Sequence, residues 1–227
     1  MLLLRSTIFA LLYYVGTTVM VFAGVPVALV SRRGISRYAR LWARLYVGTA
    51  RHVLRIRMVV EGQVPNGPAL VAAKHESEYE TLALLALIPD PIIVLKRELT
   101  AIPIFGALMR RHGVIPVDRA ANAGALRSML QAADAAKAQH RAVLIFPEGT
   151  RVPHGEAPRL QAGFAGLYGR LSLPVVPVAT DAGLAWPRGF LKRPGTIRLR
   201  FGDAIPAGLP RKEIEAAVHA AINGLNG

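Results

Sequence analysis

Ile8 to Val30 is a run of 23 residues without one charged side chain. A helix of about 20 apolar residues crosses the hydrocarbon of a bilayer. The run is longer than the core of a signal peptide, and no good small-residue cleavage site follows it. Arg5 precedes it, Arg32 and Arg33 follow it, and Gly16, Gly24 and Pro26 lie inside it. Two arrangements are open: a single crossing with the Arg-rich flank in the cytoplasm, or a broken hairpin that dips into one leaflet and returns. Breakers inside the run and basic residues at both ends favour the dipping form.

The net charge of +14 is unevenly placed. Residues 1–60 contain nine Arg and no Asp, Glu or Lys, while the rest holds 19 basic and 14 acidic side chains. Arg33, Arg37, Arg40, Arg44, Arg51 and Arg55 recur at helical spacing and fall within roughly 60° of one another on a helix. Leu41, Trp42, Leu45 and Tyr46 supply apolar and interfacial groups beside them. An ordinary solvated basic face has the same pattern. The apolar run joined directly to this one selects an anionic lipid surface over nucleic acid. Residues 1–54 are therefore expected to form a membrane-anchoring helical segment, with an apolar part at 8–30 and a basic amphipathic part at 33–55.

Residues 55–227 alternate short apolar runs with helical patterns. Strands are expected at Arg55–Glu61, Ala69–Ala73, Ile92–Leu95, Gly113–Val117, Ala142–Phe146, Val175–Ala179 and Thr196–Phe201. Helices are expected at Thr81–Ile88, Ile104–Arg111, Ala121–Gln139, Phe164–Leu171 and Arg211–Ile222. This is an α/β pattern, a mostly parallel or mixed sheet covered by helices. The chain has no cysteine, which removes disulfides, thiolate metal sites and a Cys nucleophile.

Polar residues gather where the strands end: His75, Lys96, Arg119, Glu148 and Arg151. In open α/β sheets ligands bind outside the carboxyl ends of the strands. His75 and Glu80 are five residues apart, about 500° on a regular helix, and so would point apart. They meet only if His75 precedes a helix and Glu80 lies in its first turn. A carboxylate on one imidazole nitrogen then leaves the other free to accept a proton, as in a general base. The plain alternative is a surface histidine beside solvated glutamates. A metal hydrolase built on His75, Glu76, Glu78 and Glu80 lacks a second nearby histidine. A serine hydrolase lacks a Gly-x-Ser-x-Gly elbow. A non-catalytic lipid-binding protein would keep the basic surface and tolerate loss of His75. The three cations Lys96, Arg119 and Arg151 suit an oxyanion or a phosphate.

Taken in order, four blocks resemble the motifs of the glycerolipid acyltransferases, specifically the bacterial lysophosphatidate acyltransferases. They are His75-Glu76-Ser77-Glu78-Tyr79-Glu80; Lys96-Arg97-Glu98 through Pro103 and Gly106 to Val117-Asp118-Arg119; Phe146-Pro147-Glu148-Gly149-Thr150-Arg151; and Leu173-Pro174-Val175-Val176-Pro177-Val178. They span about half of the chain. Glu80 stands where the family most often has Asp, and Glu76 where an amide or other polar residue is usual. A carboxylate at Glu76 is expected to raise the imidazole pKa of His75.

The resemblance implies transfer of a fatty acyl group from acyl-CoA or acyl carrier protein to the sn-2 hydroxyl of lysophosphatidate, giving phosphatidate, without cofactor or metal. Another lysolipid or glycerol 3-phosphate is the alternative acceptor. It implies His75 as general base oriented by Glu80, a phosphate held by Lys96, Arg119 and Arg151, and a glycerol pocket shaped by Glu148, Gly149 and Thr150. Pro174–Val178 is then either a wall beside the acyl donor or a buried strand. The implied setting is the inner (cytoplasmic) membrane, with the catalytic domain on the cytoplasmic face. The implied partners are the bilayer, a lysophospholipid and the thioester donor, and not nucleic acid.

Overall fold

The structure, a computed structural model, describes residues 1–117 and 123–227. Seven strands form one sheet: β1 Ile56–Glu61, β2 Leu70–Ala73, β3 Ile92–Lys96, β4 Ile115–Val117, β5 Val143–Ile145, β6 Val175–Thr180 and β7 Gly195–Phe201. Their order is β1-β7-β6-β2-β5-β3-β4. Among these described strands only β6 and β7 pair antiparallel, so the sheet is mixed but mostly parallel, as the alternating pattern predicts. The central strands β2, β5 and β6 are buried along their whole length. Both faces of β2 are used. Val71 and Ala73 enter one core and Leu70 and Ala72 the other, because successive strand side chains point to opposite faces. Residues 174–178, expected as a donor wall or a buried strand, are the buried strand β6 with the residue before it.

The helices are α1 Leu2–Val30, α2 Arg32–Thr49, α3 Tyr79–Leu87, α4 Phe105–His112, α5 Ala123–Lys137, α6 Ala162–Leu171, α7 Ala182–Ala185 and α8 Arg211–Ile222. The helix expected from Ala121 begins in the described residues at Ala123. The short α7 has too few residues to show a period and is not legible in the sequence.

The N-terminal segment differs from the broken hairpin. α1 runs unbroken through Gly16, Gly24 and Pro26. The turn comes one residue after the apolar run, at Ser31, whose hydroxyl accepts from the Gly34 amide (3.1 Å) and caps α2. α2 then folds back along α1. Tyr38 donates its hydroxyl proton to the Met20 carbonyl (2.9 Å), and Tyr46 meets Tyr13 edge-on at 5.0 Å. Leu3, Leu4, Leu11, Leu12, Val15, Val19 and Phe22 of α1 remain exposed. One face of α2, Ile35, Ala39, Ala43 and Tyr46, is buried. Phe9, Ala39, Ala43 and Tyr46 share a core with Val71, Leu84 and Leu144, so the hairpin and the sheet are packed as one. Arg33, Arg37, Arg44, Arg51 and Arg55 are exposed. Arg40 leaves that face and donates to the Ala86 and Leu87 carbonyls (2.9 Å each), satisfying the last turn of α3.

Asp90, just before β3, ties the hairpin to the sheet. Its carboxylate receives Arg32 (3.0 Å), the Ser36 hydroxyl and Arg141 (2.7 Å). Burial works to raise its pKa, but the hydrogen bonds from Arg32 and Ser36 and the charge of Arg141 hold it below the ordinary value. His112 lies beside this cluster. It is 2% exposed, and neither ring nitrogen has a hydrogen-bond partner among the described residues. Burial, then the Arg141 charge, pulls its pKa down to about 4; Arg32 acts in the same direction and Asp90 opposes them.

Between pH 6.5 and 4 the unfolded chain binds a proton at His112 that the folded chain refuses. Stability therefore falls as pH drops through this window, by on the order of 3 kcal/mol in total. Denaturant unfolding in detergent at pH 7 and pH 4.5 is expected to show this loss in the wild type and a much smaller one in His112→Leu. An equal loss in both would contradict it.

Candidate active site

β2 runs on into Lys74 and His75, the two residues after Ala73. Lys74 continues an apolar strand and is fully buried, so its ammonium must be matched. It donates to Glu148 Oε1 (2.8 Å), the Asn223 side-chain oxygen (2.6 Å) and the Glu156 carbonyl (2.5 Å). Glu148, on the loop after β5, is also buried, and its second oxygen accepts from the His75 amide (3.0 Å). The His75 carbonyl accepts from the Val152 amide (2.7 Å). The His75 ring stacks on Phe146 at 4.2 Å. The two motif loops thus grip His75 through its backbone and ring. Both oxygens of Glu148 face inward, one on Lys74 and one on the His75 amide.

The chain then turns into α3, with Glu80 in the first turn, which is the condition for the dyad. His75 Nδ1 is 2.8 Å from Glu80 Oε1. The same oxygen accepts from the Glu76 (2.9 Å) and Ser77 (2.8 Å) amides, and Oε2 accepts from the Ser77 hydroxyl (2.5 Å). Glu80 is fully buried, whereas the His75 side chain is 14% exposed. The extra methylene of Glu is taken up by this cradle. His75 Nε2 has no hydrogen-bond partner among the described residues, so the imidazole presents a free nitrogen at the sheet's carboxyl edge.

Glu76, expected beside the His75 imidazole, bonds elsewhere. Its side chain turns away, accepting from the Gly183 amide at the start of α7 (2.7 Å) and pairing with His154 Nδ1 (3.0 Å). Burial raises the Glu76 pKa, against the opposing bonds from Gly183 and His154. Glu78 pairs with Arg151 and accepts from the Trp186 indole N–H (3.0 Å). The glutamates of the first motif therefore diverge to separate partners. Among the described residues no group of three or more His, Asp or Glu side chains is placed to hold a metal.

The remaining candidates spread along the same edge. Lys96 ends β3, two strand positions from β2 and so about 10 Å away across the sheet. It is half exposed and pairs with Glu98 (3.2 Å). Gly149 needs its glycine: φ is +70°, and a Cβ there would lie 2.8 Å from Gln161 Cγ. Thr150 is exposed. Arg119 lies outside the described residues. Lys192, half-buried over the Trp186 ring at 4.9 Å, joins the cations near Arg151; burial and then the Arg151 charge pull its pKa down to about 8. Sequence reasoning passed over Lys74, Ser77, His154, Trp186, Lys192 and Asn223. Lys74 alone carried a signal, a charge at the end of an apolar strand.

Breaking a buried pair from one side costs about 3–5 kcal/mol, while removing both charges costs much less. Denaturant unfolding is expected to show Glu148→Gln losing about that much stability and Lys74→Met/Glu148→Gln losing clearly less than the sum of the single variants. Additive losses would contradict the coupling.

The family model described as Acyltransferase matches residues 55–181. A 1-acyl-sn-glycerol-3-phosphate acyltransferase of Pseudomonas aeruginosa is 37% identical over 169 residues, covering 73% of this chain and 66% of that protein. The 1-acyl-sn-glycerol-3-phosphate acyltransferase alpha of Mus musculus is 28% identical over 162 residues, covering 70% and 56%. The chain thus spans between half and two thirds of the length of these curated relatives. The crystal structure of the 1-acyl-sn-glycerophosphate acyltransferase of Thermotoga maritima superimposes with a TM-score of 0.80 at 21% identity, over 100% of this chain and 96% of that one, and so shares the fold. The family match covers more than half of the chain and contains the whole His75–Glu80 and Glu148–Arg151 site: the chain belongs to the Acyltransferase family.

Proposed function

We propose that this protein transfers a fatty acyl group from a thioester, acyl-CoA or acyl carrier protein, to the sn-2 hydroxyl of lysophosphatidate, giving phosphatidate. The observation that carries the chemistry is His75 Nδ1 held 2.8 Å from a buried Glu80 carboxylate, with Nε2 unbonded among the described residues at the sheet edge. The choice of acceptor is supported by the name that the relatives share.

In this reading Nε2 takes the hydroxyl proton as the oxygen attacks the thioester carbonyl carbon. The Glu80 carboxylate stabilises the imidazolium that forms. The tetrahedral intermediate collapses with cleavage of the C–S bond, and the imidazolium returns its proton to the departing thiolate. Attack is direct: the chain has no cysteine and no nucleophile elbow. Lys96, Arg119 and Arg151 serve the acceptor's phosphate. Arg151 exchanges Glu78 for the phosphate or shares itself between them, since an arginine fork has donors for both. Gly149 and Thr150 border the glycerol. α1 lies in the inner membrane, its exposed apolar side chains facing acyl chains, with the sheet's carboxyl edge on the cytoplasmic face. There lipid enters laterally and the soluble donor from water.

In a micellar assay with oleoyl-CoA and lysophosphatidate, His75→Ala is expected to lose roughly 10²–10⁴-fold in kcat while still binding lysophosphatidate. Transfer surviving at wild-type rate would refute the base. Arg151→Ala is expected to raise KM for lysophosphatidate well beyond KM for the donor; equal rises would remove Arg151 from the phosphate site.

A further inference from the structure

Between α7 and β7 the chain makes a loop, residues 186–194, that the first motif does not explain. It is tightly built. The Arg193 amide donates to the Ala185 carbonyl (2.9 Å), and Lys192 Nζ donates to the Gly189 (2.7 Å) and Pro187 (3.1 Å) carbonyls. Gly189 takes φ +98°, which lets the tip reverse. The Trp186 ring closes the base, buried against Phe9 at 5.2 Å. Yet at the tip the order of burial is inverted: Phe190 is 53% and Leu191 47% exposed. A closed loop of this size has the means to bury two large apolar side chains and instead holds them outward.

Two further observations say what meets them. The loop is bonded to the second turn of α1, the Lys192 amide donating to the Ser6 hydroxyl (3.0 Å). Leu3, Leu4 and Ile8, within one turn of Ser6, are themselves exposed, so the apolar tip adjoins the apolar helix. The tip is also bracketed by charge of one sign. Arg188, Lys192 and Arg193 flank it, residues 182–202 contain no Asp or Glu, and among the described residues none of these three cations pairs with a carboxylate. Apolar side chains set between unpaired cations match the boundary between acyl chains and anionic headgroups.

We propose that Phe190 and Leu191 form a second lipid contact, inserted into the headgroup boundary of an anionic bilayer, with Arg188, Lys192 and Arg193 on the phosphates. The proposal rests on α1 lying in the membrane. The loop adds a second point of attachment beside the site, since Trp186 bonds Glu78 and Arg188 donates to the Arg151 carbonyl. Two contacts fix the tilt of the sheet's carboxyl edge against the membrane, which a single helix leaves free to rotate.

The absence of cysteine allows a direct test on the full chain. Single variants Phe190→Cys, Val15→Cys on α1 and Val59→Cys on the edge strand β1 are labelled with an environment-sensitive fluorophore. They are reconstituted into phosphatidylethanolamine–phosphatidylglycerol vesicles carrying acyl-chain spin-labelled lipid. The proposal expects Phe190→Cys and Val15→Cys to be blue-shifted and to lose most of their emission. It expects Val59→Cys to behave as in water, and the loss at Phe190→Cys to shrink when phosphatidylcholine replaces phosphatidylglycerol. Quenching at Val15→Cys with Phe190→Cys matching Val59→Cys would overturn the second contact and leave the anchor standing. No quenching at Val15→Cys would overturn the anchor, and the loop contact with it.

Discussion

The site depends on one buried ion pair. Lys74 and Glu148 meet at 2.8 Å with neither side chain reached by solvent. Isolated, either charge would be too costly to bury. Together, with the Asn223 and Glu156 oxygens on the ammonium and the His75 amide on the carboxylate, they lock the end of β2 to the loop after β5 and to the end of α8. A buried pair is weak evidence for stability but a good device for register. Here it leaves His75 one backbone position, stacked on Phe146, from which its imidazole reaches Glu80.

The same economy runs outward from the pair. Glu80 is held by two amides and a hydroxyl of the loop that leads into its own helix, so the orienting carboxylate cannot swing. Glu76, in that loop, reaches the other way to His154 and Gly183 and connects the third motif's loop to α7. α7 ends against Trp186, and Trp186 lies on Phe9 of α1. α1 and the loop that carries His75 are therefore linked by a short path of packed rings and hydrogen bonds. Under the proposed function, this path would hold the site at a fixed height above the bilayer from which the lipid substrate arrives.

Much of this was legible in the sequence, for identifiable reasons. The strands of the sheet declare themselves because a parallel sheet buried on both faces demands continuous apolar runs such as Leu70–Ala73 and Val143–Ile145. Angular arithmetic gave the condition for the dyad, a helix start between His75 and Glu80, and the family resemblance implied that the two side chains meet. Side-chain partners over long separations were not legible. Arg40 matched the basic face in angle but caps α3, and Glu148 matched a motif but turns inward. The hairpin turn was misplaced because Gly and Pro weigh against helices in water. Pro26, in the last turns of α1, leaves the helix whole, and the turn falls to the capping serine at Ser31.

The proposed chemistry requires Glu80 to keep the imidazole proton on Nδ1 and leave Nε2 of His75 free to act. Nitrogen-15 resonances of His75, assigned by comparison with His75→Ala and recorded above the imidazole pKa in micelles, report this tautomer directly. The expected result is a protonated Nδ1 and an unprotonated Nε2 in the wild type, giving way to a tautomer mixture in Glu80→Gln. A wild-type His75 carrying its proton on Nε2 would contradict it.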